Sequence, residues 1–186
     1  MRLTGGLDRG RRLRAPRGAG TRPTGAKVRE AMFNILGPPP GEPVLDLFAG
    51  TGALGLEALS RGAVSACFVE RDARARAALQ SNLRELELGP RARVLASDVL
   101  TALHKLSGEG ARFGWVFVDP PYAAGAVEPV LGALAGGSLL ASGAVIIVEH
   151  DKRHLPPQSA GAVHLTDRRF YGDTGLSFFR REAGLS

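Results

Sequence analysis

The stretch Val44–Gly55, Val-Leu-Asp-Leu-Phe-Ala-Gly-Thr-Gly-Ala-Leu-Gly, constrains the fold more than any other part of the chain. It opens with an almost continuous apolar run that only Asp46 interrupts, as expected of a strand buried on both faces of a parallel sheet. A glycine turn follows, and an apolar helical pattern begins directly after it. Glycines at such a turn allow positive φ and let a ligand approach without meeting a Cβ atom. The stretch therefore predicts a strand, a turn and a helix with unpaired N–H groups at its start, which together form a crevice for a nucleotide-like ligand.

The charge before the turn indicates which ligand to expect. Residues 50–55 satisfy the dinucleotide pattern Gly-x-Gly-x-x-Gly, which on its own is a weak signal. Asp46 precedes them, and its negative charge would not help a loop that binds pyrophosphate. It would attract a cation, and S-adenosyl-L-methionine carries a sulfonium and an ammonium. The segment resembles motif I of the class I methyltransferases, Asp-x-Phe-x-Gly-x-Gly, and a glycine-rich turn without a ligand is the alternative.

Length and composition limit the remaining possibilities. At 186 residues the chain is long enough for one domain with a full core and too short for two large ones. Its single cysteine, Cys67, cannot form an internal disulfide, and neither a signal peptide nor a bilayer-spanning apolar run is visible. We therefore expect a cytoplasmic protein, and nothing argues against a monomer. The net charge of +6 and the pI near 10.4 favour a polyanionic partner.

Basic residues are concentrated at the start of the chain. Between Met1 and Glu30 there are two acids, Asp8 and Glu30, and nine basic residues, Arg2, Arg9, Arg11, Arg12, Arg14, Arg17, Arg22, Lys27 and Arg29. We expect an arm that is disordered or forms a loose hairpin alone and becomes ordered on nucleic acid; a disordered solubilising tail is the alternative. The residues expected to contact RNA are Arg9, Arg11, Arg12, Arg14, Arg17 and Arg22.

A helix follows the arm and a proline run separates it from the sheet. Thr24 is the expected N-cap, and the helix ends before the stiff linker Pro38–Pro40. This pattern predicts a basic N-terminal extension at residues 1–36 and a sheet domain at residues 41–186.

Two further strands each end in an acid. Glu70 ends the second strand about 20 residues after the glycines, where nucleotide-binding βαβ units hold the ribose hydroxyls; a solvated charge is the alternative. Asp72 is expected to cap the next helix. Asp98 ends the third strand, in a position that resembles the methyltransferase acid that binds the adenine amino group. It is equally an ordinary N-cap for the following helix, and the two roles are compatible.

The fourth strand, Trp115–Val118, leads into Asp119-Pro120-Pro121-Tyr122. The two prolines fix the backbone and remove two N–H donors, which leaves carbonyl oxygens able to accept hydrogen bonds. An acceptor carboxylate and an aromatic ring stand beside them. The segment suits a planar group that bears NH₂, because Asp119 and the Pro120 carbonyl can accept its two hydrogens while Tyr122 stacks on the ring. A strand-ending turn that happens to contain Pro-Pro is the alternative.

The rest of the chain completes a sheet. Residues 144–148 read as a fifth buried strand, followed at the same edge by Glu149, His150 and Asp151. His150 is interpreted as a rim residue that could meet phosphate and is given no catalytic role. Two final strands, residues 163–170 and 176–181, are expected to form a hairpin that places the last strand antiparallel.

Together these motifs resemble the amino-group methyltransferases. Arg22-Pro23-Thr24, the segment Val28–Leu36 and the terminal Tyr171-Gly172-Asp173-Thr174 are similar to the RsmD family, which methylates N2 of one guanine in 16S ribosomal RNA. The resemblance runs from about residue 10 to residue 179. It implies an α/β class I (Rossmann-like) fold with a seven-stranded sheet and S-adenosyl-L-methionine as cofactor, without a metal. The partner it implies is 16S ribosomal RNA within an assembled or partly assembled 30S subunit, possibly with ribosomal proteins.

The resemblance also assigns site residues. Those expected to bind the cofactor are Asp46, Phe48, Gly50, Gly52, Glu70, Arg71, Asp98, Val99 and Asp119, and those expected to act in catalysis are Asp119, Pro120, Pro121 and Tyr122. Two other classes stay open. One is an amino-group methyltransferase for DNA or another RNA, although the DNA enzymes normally carry a recognition domain that this length does not accommodate. The other is a non-catalytic RNA-binding assembly module.

Overall fold

The computed structural model describes residues 1–15, 25–121 and 125–182, in which one mixed sheet is covered by helices on both faces. In chain order the elements are α1 (Ala26–Leu36), β1 (Val44–Leu47), α2 (Ala53–Ser60), β2 (Ala66–Val69), α3 (Ala73–Glu85), β3 (Ala92–Leu95), α4 (Val99–Gly108), β4 (Phe113–Val118), α5 (Val127–Gly136), β5 (Leu140–Asp151), β6 (Ser159–Ala160), β7 (Val163–Tyr171) and β8 (Thr174–Arg181). None of these helices is long and apolar enough to cross a membrane.

The sheet has the order β3-β2-β1-β4-β5-β8-β7-β6. Strands β1 to β5 pair in parallel, and β8 is antiparallel to both of its neighbours, β5 and β7. This arrangement confirms the predicted class I fold and its antiparallel last strand. The described residues contain eight strands instead of seven, because Ser159–Ala160 adds a two-residue strand at the edge of β7.

Alternate side chains of the strands supply two hydrophobic clusters, one on each face. Val44 belongs to the cluster that contains α1, α2 and α3, whereas Leu45 and Leu47 belong to the cluster that contains α4 and α5. Asp46 shares the pleat face of Val44, since side chains alternate along a strand. The carboxylate of Asp46 is therefore directed toward the side of the sheet that α2 covers.

The first 15 residues form a hairpin that is seated on this cluster. Arg2 and Arg12 form an antiparallel bridge, and the Leu3 and Leu13 side chains are buried among those of the helices. Burial of two leucines holds the hairpin to the sheet domain. Of the arrangements expected from composition, the structure therefore shows a hairpin for residues 1–15, packed against α2 and α3.

A buried carboxylate joins the hairpin to two helices. Glu57 in α2 accepts hydrogen bonds from the Thr4 backbone at 2.8 Å and the Thr4 hydroxyl at 2.7 Å, and it pairs with Arg29 at 3.2 Å and Arg61 at 3.0 Å. Burial opposes the charge of Glu57, but the hydrogen bonds from Thr4 and Arg61 and the nearby Arg29 lower its pKa on balance. The compensated charge fixes how the hairpin, α1 and α2 pack together.

Two element boundaries differ from those expected. Helix α1 begins at Ala26 with Gly25 in the N-cap position, whereas the expected cap Thr24 lies outside the described residues. Strand β5 extends to Asp151, so Glu149, His150 and Asp151 are in the strand and do not follow it. The extension arises because β8 pairs with all three of them.

Candidate active site

The register of the parallel strands places the predicted site residues at one edge of the sheet. The last aligned residues are Leu95, Val69, Leu47, Val118 and Val148, on β3, β2, β1, β4 and β5 in that spatial order. The residues that come next therefore lie side by side. Phe48 enters the glycine turn between Glu70 on one side and Asp119 on the other. The edge brings the predicted cofactor residues and the predicted catalytic residues into adjacent positions.

The turn after β1 contains three residues with left-handed backbone. Their φ values are 59° at Phe48, 55° at Gly50 and 84° at Gly52. A Cβ atom on Gly52 would lie 2.3 Å from the Leu79 side chain, whereas one on Gly50 would meet only the Phe48 carbonyl oxygen, at 4.0 Å. Gly52 is thus required for packing, while Gly50 leaves space in front of the turn. That space is what a ligand approaching the backbone needs.

Asp46 connects β1 to the helix that follows the turn. Its side chain is 2% exposed, and Oδ2 accepts a hydrogen bond from the Gly55 N–H at 2.9 Å, in the first turn of α2. Burial raises the pKa of Asp46 to about 7; the Gly55 hydrogen bond opposes this change and the negative Glu70 adds to it. The carboxylate therefore links β1 to the start of α2, and its expected contact with the cofactor stays a prediction.

Glu70 fastens the turn from the neighbouring strand. One carboxylate oxygen accepts from the Gly50 N–H at 2.8 Å, and the other accepts from the Asp72 N–H at 2.7 Å. Each oxygen keeps a second lone pair for another donor. Glu70 lies beside Gly50, and its predicted role of holding ribose hydroxyls stays a prediction. Asp72 caps α3 through the Ala75 N–H at 2.8 Å, as predicted.

Asp98 caps α4 at the carboxyl end of β3. Its Oδ1 accepts from the Thr101 N–H at 3.0 Å, which confirms the N-cap interpretation. The hydrogen bonds from the Thr101 side chain and backbone lower the pKa of Asp98. The Asp98 side chain is exposed, Val99 behind it is buried, and Arg71 is exposed at the end of β2. These three residues border the same edge, and their contacts with a cofactor stay predictions.

Asp119 and Pro120 directly follow β4 and are half-buried, whereas Pro121 is exposed. Tyr122 lies outside the described residues. A cavity of about 270 Å³ opens beside the two prolines. Its lining is formed by Pro120, Pro121, Gly125, Val127, Glu128, Glu149, His150, Asp151, His154, Leu155, Pro156 and Pro157. A volume near the lower end of small-molecule sites suits one planar base.

His150 forms part of the cavity wall and is held in one orientation. Its Nδ1 lies 2.9 Å from the Asp151 carbonyl oxygen, which can only accept, so Nδ1 carries the proton. Its Nε2 lies 2.8 Å from Ser177 Oγ, which also accepts from Arg168 Nε at 2.9 Å. A serine hydroxyl donates one hydrogen bond and accepts up to two, so Ser177 is able to donate to Nε2 of a neutral imidazole while it accepts from Arg168. Burial also lowers the pKa of His150, the Asp151 carbonyl opposes that change, and the charge of Arg168 adds to it.

Gly175 makes room for the imidazole ring. A Cβ atom there would lie 2.3 Å from His150 Cε1 and 2.7 Å from Nε2. The half-exposed Phe170 meets the same ring edge-on, with 6.4 Å between the ring centroids. The terminal hairpin β7–β8 therefore supports His150, which forms part of the cavity wall.

The described arginines of the predicted RNA-binding set lie exposed on the hairpin. These are Arg9, Arg11, Arg12 and Arg14, while Arg17 and Arg22 lie outside the described residues. Arg11 donates to the Glu85 carbonyl at 2.6 Å and Arg14 pairs with the Glu85 carboxylate. The hairpin therefore presents a basic surface along the end of α3.

Sequence reasoning missed the residues that support the site from a distance. Ser177, Arg168 and Gly175 are far from His150 in sequence, and only strand pairing brings them together. The one available signal was Gly175 within an otherwise bulky strand, because a glycine inside a strand often marks the close approach of another group. Within the described ranges, no group of three or more His, Cys, Asp or Glu residues is arranged to hold a metal ion.

Comparisons with known proteins relate the whole chain to one family. Residues 1–180 match the family described as "Conserved hypothetical protein 95". "Ribosomal RNA small subunit methyltransferase D" of Escherichia coli (strain K12) is 39% identical over 184 residues, which cover 98% of this chain and 91% of that protein. "Putative rRNA methyltransferase YlbH" of Bacillus subtilis (strain 168) is 39% identical over 182 residues, covering 97% and 99%. The structure of "Putative methyltransferase yhhF from Escherichia coli" superposes with a TM-score of 0.85 at 37% identity, covering 98% of each chain.

The raised pKa of Asp46 predicts a specific pH dependence of stability. The folded chain keeps the Asp46 proton up to about pH 7, whereas an ordinary aspartate releases it near 3.8, so the folded state loses stability as the pH rises through this window. Asp46→Asn keeps an acceptor for Gly55 and cannot ionise. Between about pH 4 and pH 8 we expect the unfolding free energy of the wild type to fall relative to the variant by up to roughly 4 kcal/mol, measured by urea denaturation. A difference that is constant with pH would contradict the raised pKa.

Proposed function

The chain belongs to the family described as Conserved hypothetical protein 95, the RsmD family, and we propose that it methylates the exocyclic N2 amine of a guanine in 16S ribosomal RNA with S-adenosyl-L-methionine as cofactor. One observation carries the proposal. The turn with Gly50 and Glu70 lies directly beside Asp119 at the sheet edge, and a cavity lined in part by His150 opens beside Pro120 and Pro121, the two residues that follow Asp119. The residues proposed to bind the cofactor and those proposed to bind the amine are therefore adjacent.

The turn and its neighbours fit the cofactor. The open space before Gly50 admits an elongated ligand, and the Glu70 carboxylate at the same place suits a ribose hydroxyl pair. The Glu70 carboxylate gives this end of the sheet the negative potential that a sulfonium and an ammonium require, and Asp46 adds to it once it ionises, above about pH 7. When bound, S-adenosyl-L-methionine supplies an electrophilic methyl group.

Asp119 and Pro120 provide the amine half. The Asp119 carboxylate and the Pro120 carbonyl can accept the two hydrogens of the guanine amine, which directs the nitrogen lone pair toward the turn. Catalysis then consists of positioning and of electrostatic stabilisation, because positive charge grows on the nitrogen as its new bond forms. The methylated amine loses a proton readily, so the chain needs no strong base. Tyr122 is proposed to stack on the base.

The arginines of the hairpin provide RNA affinity in this proposal. A chain of 186 residues has little surface for reading a long sequence, so RNA shape and ribosomal proteins would select the guanine within a 30S subunit. The protein would act in the cytoplasm as a monomer.

Replacing Asp119 tests the chemistry. We expect Asp119→Ala to reduce methyl transfer by about 100-fold or more, while the affinity for S-adenosyl-L-homocysteine changes by less than about 3-fold. The assay incubates small subunits that lack their modifications with labelled cofactor and identifies the methylated nucleoside after digestion. We expect N2-methylguanosine from the wild type.

Other results of this assay would replace the proposal. Label in DNA or in another RNA, with none in small subunits, would indicate a different amino-group methyltransferase. Cofactor binding with no acceptor labelled would favour the assembly module. Unchanged turnover in Asp119→Ala would contradict the proposed role of the carboxylate.

Gly175→Ala tests the cavity wall. The added methyl group would push the His150 ring away from Ser177 and into the cavity, so we expect kcat/KM for RNA to fall about 10-fold, or about 1.4 kcal/mol. The affinity for S-adenosyl-L-homocysteine should be preserved. Gly132→Ala is the matched control, because a Cβ atom on Gly132 in α5 meets nothing within 4 Å. Equal kcat/KM values for the two variants would exclude His150 from the acceptor site.

Arg9→Ala combined with Arg12→Ala tests the hairpin surface. Each arginine that contacts phosphate releases about one counterion, so the pair should weaken RNA binding and reduce the slope of log K against log salt by about 1 to 2. Filter binding over a salt series measures both quantities. Arg112→Ala, at an exposed arginine outside the hairpin, serves as control and should leave the slope unchanged. A slope for the double variant equal to that of the control would contradict RNA binding by these arginines.

A further inference from the structure

The Asn82 side chain connects the N-terminal hairpin to the glycine turn. Its Oδ1 accepts from the Arg14 N–H at 2.7 Å, and its Nδ2 donates to the Arg14 carbonyl at 3.2 Å and to the Thr51 carbonyl at 3.0 Å. Asn82 is 1% exposed, on the face of α3 that packs on the sheet. A single buried amide therefore binds the last part of the hairpin and the middle of the turn.

This arrangement needs an amide. A carboxamide offers an acceptor and two donors in one plane, so it pairs with both backbone groups of Arg14 as a second strand would and still has one donor for Thr51. Aspartate has nearly the same shape but would set an oxygen against two carbonyl oxygens. An unsatisfied buried polar group costs about 1–3 kcal/mol, so the loss of any of the three hydrogen bonds is unfavourable. Together they hold the Arg14 and Thr51 backbones in place relative to α3.

Thr51 is the part of the turn that most needs such an anchor. It stands between Gly50 and Gly52, which both have left-handed φ and allow wide backbone freedom. The Leu79 side chain, one turn before Asn82 in α3, supports the Gly52 backbone from the same side. Helix α3 thus fixes the turn through one apolar contact and one hydrogen bond. The side chain that makes this hydrogen bond, Asn82, also binds the hairpin.

A separate contact attaches the hairpin elsewhere. Ser60 Oγ, at the end of α2, donates to the Gly5 carbonyl at 2.8 Å and accepts from the Asp8 N–H at 2.9 Å. The Ser60 side chain is buried, like that of Asn82, and it contacts the hairpin but not the turn. The chain therefore provides its own control.

We propose that Asn82 is a positioning residue that couples the seating of the hairpin to the shape of the cofactor turn, so that hairpin order and cofactor binding favour each other. The inference rests on the proposed cofactor. Coupling of this kind is reciprocal: a hairpin that loosens Arg14 weakens cofactor binding, and cofactor in place tightens the hairpin. RNA bound to the hairpin arginines would then act on cofactor affinity through Asn82.

The first test compares the affinities of wild type, Asn82→Ala, Asn82→Asp and Ser60→Ala for S-adenosyl-L-homocysteine by titration calorimetry, well below their melting temperatures. We expect both Asn82 variants to bind S-adenosyl-L-homocysteine at least about 5-fold more weakly than the wild type, a change at the lower end of measured coupling free energies. Ser60→Ala loses buried hydrogen bonds too, and should stay within about 2-fold of the wild type. Equal losses in Ser60→Ala and the Asn82 variants would overturn the proposal, as would wild-type affinity in the Asn82 variants.

The second test measures hydrogen exchange of residues 1–15 with and without S-adenosyl-L-homocysteine. In the wild type and in Ser60→Ala we expect the cofactor product to slow exchange at Leu3, Leu13 and Arg14, and in the Asn82 variants this protection should be lost. Binding to the wild type without any change in hairpin exchange would overturn the coupling alone, even if neither Asn82 variant folded. A wild type that does not bind S-adenosyl-L-homocysteine would overturn the proposed cofactor together with the coupling.

Discussion

The backbone of the turn between β1 and α2 depends on three side chains that reach it from three different elements. Asp46 in β1 binds the Gly55 N–H, Glu70 after β2 binds the Gly50 N–H, and Asn82 in α3 binds the Thr51 carbonyl. A left-handed backbone costs conformational energy in a residue with a Cβ atom, such as Phe48, and is only one of several accessible conformations in a glycine. Both kinds of residue hold this conformation only where the surrounding structure imposes it. The turn therefore keeps its shape only while the strands and α3 are packed around it, and the ligand site is a product of the assembled fold.

How far the sequence predicts this site depends on the range of the interactions. The five parallel strands along the chain, the glycine turn and the caps Asp72 and Asp98 are encoded within a few residues each, and the structure confirms them. The position of Glu70 and Asp119 on either side of the turn also follows, because parallel strands end at a common edge. Asp46 shows the limit of such reasoning. Its spacing suggested a partner for a cation, while the contact that the structure contains is with Gly55, on a helix whose packing the sequence alone does not fix.

The hairpin is the clearest case of a feature that composition obscures. Its glycines and arginines indicate an arm or tail, yet Leu3 and Leu13 are enough to seat it once α1, α2 and α3 offer a surface. The Glu57 carboxylate completes the attachment by accepting from Thr4 while paired with Arg29 and Arg61. These partners are separated by 25 or more residues, apart from Arg61, so no local pattern reveals them. The consequence is functional, since a seated hairpin holds its arginines at fixed positions and a disordered one would not.

In the proposed reaction, the acceptor half of the site has to accommodate the charge that methylation creates. A nitrogen that gains a methyl group becomes positive before it releases a proton, so acceptor oxygens beside it lower the barrier and a cation beside it raises the barrier. The cavity wall has the buried Glu149 carboxylate, with Asp119 at the end of the neighbouring strand. His150, between Glu149 and Asp151, would add a positive charge if protonated, and its burial together with the charge of Arg168 favours the neutral form, against the opposing hydrogen bond of the Asp151 carbonyl. With the neutral ring, Ser177 accepts from Arg168 and donates to Nε2 of His150. Protonating the ring would therefore add a buried positive charge close to Arg168 and, in the proposed reaction, a cation beside the cavity proposed for the amine. The terminal hairpin, which carries Arg168, disfavours this state.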